Sequence, residues 1–183
     1  MRKCPIDNTP METITLKGVK VDRCPKDGGL FFDREELKRA KDATDEDLSW
    51  MDFDIFEDRK DKFTTYDTDK KCPKDGTEMI SLRYADSKIR IEKCIKCDGV
   101  WLDKGEFGKI IEYLDKRLNS MPSGEIGENA IRELSSLAQG TQDTGSELKD
   151  FLTLLKLYEL RLEAEHPTAE KWIRNLIAYW PIH

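Results

Sequence analysis

Cysteines recur in a fixed pattern along this chain of 183 residues, and that pattern limits the fold more than any other feature. Cys24-Pro25-Lys26-Asp27-Gly28-Gly29-Leu30-Phe31-Phe32-Asp33-Arg34-Glu35-Glu36-Leu37 aligns with Cys94-Ile95-Lys96-Cys97-Asp98-Gly99-Val100-Trp101-Leu102-Asp103-Lys104-Gly105-Glu106-Phe107 at a constant separation of 70. Upstream, Cys4-Pro5-Ile6-Asp7 aligns with Cys72-Pro73-Lys74-Asp75 at a separation of 68. The two-residue difference falls between the turns, where a hairpin absorbs it. A repeat of this kind means two copies of one small structural unit.

Each copy has the same order of parts. A Cys-Pro-x-Asp turn is followed by two β-rich runs, Met11 to Lys17 and Val19 to Arg23, or Glu78 to Tyr84 and Lys88 to Lys93. Gly18 and Ala85-Asp86-Ser87 stand where a hairpin reverses. A second turn leads into a short apolar strand, Leu30–Phe32 or Val100–Leu102, and then a helix. Asp33 and Asp103 read as helix N-caps, with Glu36 and Glu106 completing a capping box three residues on. That spacing explains the four carboxylates better than a catalytic pair does. Trp101 and Phe31 either form an exposed binding patch or pack on the following helix.

These residues resemble the transcription factor IIB-type zinc-ribbon family, in which a Cys-Pro turn, a hairpin and a second Cys-rich turn lead into Trp-Leu-Asp and Gly-Glu-Leu. Here the second copy reads Cys72-Pro73-Lys74-Asp75-Gly76, then Cys94 to Phe107 as above. The resemblance covers both repeats, roughly half the chain. It implies an α+β fold of two small zinc ribbons, each of short antiparallel strands plus one helix, with the first copy degenerate. It also implies Zn²⁺ as the cofactor, and says less about activity.

A structural zinc site takes four Cys, His or carboxylate donors around a tetrahedral centre. The second copy offers Cys72, Cys94 and Cys97, with Asp75 where a fourth Cys is expected. The only histidines, His166 and His183, lie outside both copies, so Asp75 is the expected fourth ligand. The first copy offers Cys4, Asp7, Cys24 and Asp27. Two thiolates and two carboxylates make a harder, less thiophilic set. That copy either holds Zn²⁺ more weakly or has lost its metal and kept its fold, so one zinc is expected and a second remains open.

The chain divides into ribbon one at 1–41, an acidic aromatic linker at 42–70, ribbon two at 71–118 and a helical tail at 119–183. The ribbons are mildly basic, with 10 Lys/Arg against 7 Asp/Glu in the first and 11 against 9 in the second. The linker carries 4 against 11, and the tail 6 against 10. Weak positive faces do not favour nucleic acid. No stretch is long and apolar enough to span a bilayer, and the N-terminus lacks the apolar core of a signal peptide, so a reducing cytoplasm is expected. There the cysteines serve as ligands and not as disulfides.

In the linker, residues 44–60 have helical character, with Trp50, Phe53 and Phe56 at a spacing of three. The tail predicts helices over Ser123 to Ala138, Ser146 to about Glu165, and Thr168 to Tyr179. Ile126, Ala130, Ile131, Leu134 and Leu137 mark the inward face of the first. Leu148, Phe151, Leu152, Leu155, Tyr158 and Leu162 mark that of the second, with Leu154, Leu157 and Leu160 widening it. So broad an apolar face calls for packing against the ribbons, a protein partner or a second copy, unless the three helices close into a small bundle of their own. Neither a phosphate loop nor a nucleophile–base pair is present, so no enzyme activity is expected. A zinc-binding protein-interaction module or adaptor, linked to gene expression, is the leading expectation. A nucleic-acid-binding transcriptional regulator using the ribbon faces is its rival.

Overall fold

The computed structural model describes residues 1–51, 64–139 and 144–165. They form two compact units, Met1–Arg117 and one beginning at Leu118.

In the first unit each repeat forms three strands and a helix. Copy one contributes β1 (Glu12–Leu16), β2 (Val19–Arg23), β3 (Leu30–Phe32) and α1 (Glu36–Asp42). Copy two contributes β5 (Met79–Arg83), β6 (Arg90–Cys94), β7 (Val100–Leu102) and α2 (Glu106–Ser120). Lys17 and Gly18 both take positive φ at the β1–β2 turn, the geometry a two-residue hairpin needs. The predicted strands are all present, within two residues at each end.

The two copies share one sheet of seven strands, in the order β1-β2-β3-β7-β6-β5-β4, where β4 is Thr65–Tyr66 of the linker. Strands β3 and β7 pair antiparallel, with Leu30 opposite Leu102, Phe31 opposite Trp101 and Phe32 opposite Val100. Phe31 and Trp101 are themselves equivalent positions of the repeat, so their pairing marks a pseudo-two-fold axis. Alternation along β3 and β7 sends Phe31 and Trp101 to one face and their flanking residues to the other. On the second face Phe32 stacks on Phe107 of α2, with ring centres 5.9 Å apart.

Of the segment 44–60 expected to have helical character, only residues 44–51 are described, and there Glu46–Leu48 forms a short 3₁₀ turn, begun by Asp45, whose side chain accepts from the Asp47 N–H. The Lys41 ammonium donates to the carbonyls of Leu48, Ser49 and Met51, tying this turn to α1. Further on, β4 (Thr65–Tyr66) adds to the outer edge of β5, and the Arg90 guanidinium lies 4.1 Å from the Tyr66 ring centre. Phe53 and Phe56 lie outside the described residues.

In the second unit α3 (Ser123–Gln139) and α4 (Thr144–Glu165) pack together. Glu165 closes the N-terminus of α3, accepting from the Ser123 N–H and hydroxyl. Arg161 donates to the carbonyls of Leu118 and Asn119. The inward faces differ in part from those expected. Ile126 and Ala130 are buried on α3, but Ile131 and Leu134 are exposed. Among the described side chains of α4, Leu154 is fully buried, while Leu152, Leu155 and Leu160 are exposed; the side chains of Leu137 and Leu148 lie outside those described. Leucines occur all round α4, so their spacing alone does not choose a face. The expected helix from Thr168 to Tyr179 lies outside the described residues.

Candidate metal centres

Each donor set is built by two tight turns with one shared backbone pattern. The first Cys N–H donates to the carbonyl five residues on, and its own carbonyl accepts from the N–H four residues on. This holds from Cys4 to Thr9 and Asn8, from Cys24 to Gly29 and Gly28, from Cys72 to Thr77 and Gly76, and from Cys94 to Gly99 and Asp98. The residue four on always has positive φ: 61° at Asn8, 81° at Gly28, 74° at Gly76 and 55° at Asp98.

The donor three residues after each Cys then accepts from an N–H two residues further along. Asp7 accepts from Thr9 at 2.9 Å, Asp27 from Gly29 at 2.6 Å and Asp75 from Thr77 at 2.9 Å. At Cys97 the same bond, from Gly99, favours the thiolate. A carboxylate therefore replaces the second thiol of the turn with its backbone anchor intact. The Thr77 bond also holds the Asp75 carboxyl well below its ordinary range.

Both predicted sets come together. Cys72, Asp75, Cys94 and Cys97 place donor atoms within 4.8 Å of one another, as do Cys4, Asp7, Cys24 and Asp27. Tetrahedral Zn²⁺ requires edges of about 3.8 Å between sulfurs and about 3.5 Å between sulfur and oxygen. The Cys72 and Cys97 sulfurs are 3.5 Å apart, and the Cys94 sulfur is 3.7 Å from either Asp75 oxygen. These lengths fit a zinc ion. Burial pushes the Cys72 and Cys97 thiols up, so their thiolates need a cation beside them, and a divalent metal supplies that charge.

The first set is less regular. The Cys4 sulfur lies 2.7 Å from Asp27 Oδ2, well short of a tetrahedral edge, and the Cys24 sulfur lies 4.0 Å from Asp7 Oδ1. Burial raises the Cys4 thiol, and its bond to Asp27 raises it further. Its thiols and carboxylates pair crosswise between the two turns, so these polar groups can satisfy one another.

Against known families, residues 3–43 and 71–113 each match the TFIIB-type transcription factor zinc-finger model. The two matches are consistent with two copies of this zinc ribbon. No curated protein and no solved structure shows significant similarity to the chain. Two ribbons with two Cys-rich donor clusters support Zn²⁺ as the metal.

Around the ribbons the structure adds residues that sequence reasoning missed. Arg2 pairs with Asp22 at 2.6 Å and Asp33 at 2.7 Å. At the equivalent positions Lys70 pairs with Glu92 and Asp103, each at 2.9 Å. The repeat offsets of 68 and 70 were the available signal. Lys74 of ribbon two also reaches Asp33 of ribbon one, at 2.9 Å. Burial opposes charge on Asp33, but its bonds to Lys74 and Arg2 prevail and hold the carboxyl below its ordinary range.

The N-cap expectation for Asp33 and Asp103 is accordingly half right. Glu36 and Glu106 do accept from the backbone N–H of Asp33 and Asp103, each at 2.8 Å. The aspartate side chains are instead committed to the lysine and arginine partners. Trp101 and Phe31 are both fully buried, so neither forms an exposed patch, and each lies against a glycine of the other ribbon, Gly29 and Gly99 respectively.

Proposed function

We propose that Cys72, Asp75, Cys94 and Cys97 hold one structural Zn²⁺, and that Cys4, Asp7, Cys24 and Asp27 form a second, harder and weaker site. The observation that carries this is the meeting of three thiols and a carboxylate at distances close to tetrahedral edges. All four donor positions of the centre are supplied by the chain, which suits a structural role and leaves no position for substrate. Elemental analysis of the reduced, purified chain tests it: one to two zinc per chain are expected, and none ends the reading.

On this basis the chain is a zinc-held interaction module, an adaptor in the machinery of gene expression. The exposed leucines of α4 support a protein partner or a second copy on the tail. Among the described residues no helix is long and apolar enough to cross a membrane. Nucleic-acid binding is the rival role, since both ribbons are net positive. Three thiolates against one Zn²⁺ remove a further unit of positive charge from ribbon two, which weakens that rival. A mobility-shift assay separates the two: phosphate contact gives binding that falls steeply with salt. No shift at low-micromolar protein and physiological salt is expected.

A further inference from the structure

We propose that Phe31 and Trp101 are positioning residues exchanged between the two metal centres. Phe31 of ribbon one walls the centre of ribbon two, and Trp101 of ribbon two walls the centre of ribbon one. The inference rests on the zinc reading above and adds that each centre's hold on its metal depends on the other ribbon.

The contacts are reciprocal. A Cβ placed on Gly99, beside the Cys97 ligand position, would lie 2.3 Å from the Phe31 ring and 3.2 Å from the Cys97 sulfur. One placed on Gly29, beside Asp27, would lie 2.2 Å from the Trp101 ring and 3.0 Å from Asp27 Oδ1. Gly29 and Gly99 are equivalent positions of the repeat, as are Phe31 and Trp101. Each ring thus lies flush against the glycine that closes the other ribbon's second turn. Both rings are fully buried, and they form one apolar cluster with Cys4, Cys24, Cys72 and Cys94, against which Cys97 packs. Phe31 is further fixed by the Arg2 guanidinium 5.2 Å from its ring centre, and Trp101 by its indole N–H donating to Asp103 at 2.7 Å.

An apolar wall of this kind affects a thiolate-bound metal in two ways. It keeps water and competing ligands from that side, and it lowers the local dielectric, which strengthens the attraction between metal and thiolate. It also clamps the turn that orients Cys97. The arrangement accounts for a first ribbon whose own donor set is poor: it completes the surroundings of the second centre whether or not it holds metal itself.

The test uses the full, reduced chain. Zinc transfer to a chromogenic chelator measures affinity. The Co²⁺-substituted form reports the number of bound thiolates through its sulfur-to-metal charge-transfer band, three for centre two and two for centre one. Phe31→Ala is expected to weaken centre two by at least about tenfold, the lower range for outer-shell changes, and Phe31→Leu to recover most of that loss. Phe32→Ala is the control. Phe32 is also fully buried and lies on the same strand, but it faces Phe107 on the opposite side of the sheet. It should change zinc transfer by less than about threefold. Equal weakening by Phe32→Ala overturns the proposal, because the ring would then act only through general stability. Unchanged affinity in Phe31→Ala overturns it as well, while leaving the zinc reading intact. Should Phe31→Ala fail to fold, Phe31→Leu carries the test: weakening of about threefold is then expected, and wild-type affinity overturns the proposal. A wild-type chain that takes up no zinc would bring down the zinc reading itself.

Discussion

Replacing Gly29 by alanine should destabilise the first unit, although most glycine-to-alanine changes at an ordinary backbone angle do the opposite. Gly29 has no positive φ, so alanine fits the backbone and should gain about 0.4–1 kcal/mol by restricting the unfolded chain. Against that, the new methyl carbon would meet two Trp101 ring carbons at 2.2 and 2.6 Å. Carbon atoms settle at about 3.5–4.0 Å, so the shortfall exceeds about 1 Å. The ring has little freedom to withdraw, because Trp101 is fully buried, strand-paired with Phe31 and bonded to Asp103. Strands β3 and β7 must therefore part. A shortfall of this size puts the overpacking cost toward the upper end of about 1–3 kcal/mol, so after the gain of about 0.4–1 kcal/mol the net loss is about 1–2.5 kcal/mol. Denaturant unfolding of the zinc-saturated chain should show a lower midpoint at unchanged slope. Gly108→Ala is the control: it lies within α2 with nothing within 4 Å of its Cβ, and it should stabilise by about 0.5–1 kcal/mol. Gly29→Ala that matches Gly108→Ala would falsify the interlocked packing.

Three further outcomes are expected. Burial first, and then the charges of Asp103 and Glu92, push the Glu106 carboxyl up to about 7. Its folded-state pKa thus lies above its unfolded value of about 4.3. The stability it contributes is present below that unfolded value and lost as pH rises through about 7. Glu106→Gln should therefore gain stability relative to wild type across that window, and a pH-independent difference in unfolding midpoint would contradict it. Chelator titration should strip any metal at Cys4 and Cys24 before that at Cys72, Cys94 and Cys97, and Cys97→Ser should disrupt ribbon two more than Asp27→Ser disrupts ribbon one; equal sensitivity refutes the ranking. Changing Leu152, Leu155 and Leu160 together to glutamine should leave helicity intact and abolish self-association measured by light scattering, whereas a monomeric wild type with no partner on its tail ends that proposal.

The sequence by itself determined the parts that are local. Each Cys turn is closed by backbone bonds spanning four and five residues, so the turns at Cys4, Cys24, Cys72 and Cys94, with a candidate donor three positions on, were legible from spacing alone. The β1–β2 and β5–β6 hairpins and the β3 and β7 strands were legible for the same reason, as were the starts of α3 and α4. Tertiary structure decided what joins partners far apart in the chain. Strands β3 and β7 belong to copies 70 residues apart, and each had an open edge that many segments could have filled. Only the closure of the whole sheet selects that pairing, and with it the exchange of Phe31 and Trp101 against Gly99 and Gly29. The same holds for β4 on the edge of β5, where two linker residues carry no strand pattern of their own. On α4 six leucines lie between positions 152 and 162, too evenly spread for helical period to choose a buried stripe. Tertiary packing buries Leu154. Asp33 shows the competition at one residue: its local sequence favours a helix cap, yet Arg2 and Lys74, 31 and 41 positions away, offer full charges to its carboxylate, and the ion pairs win.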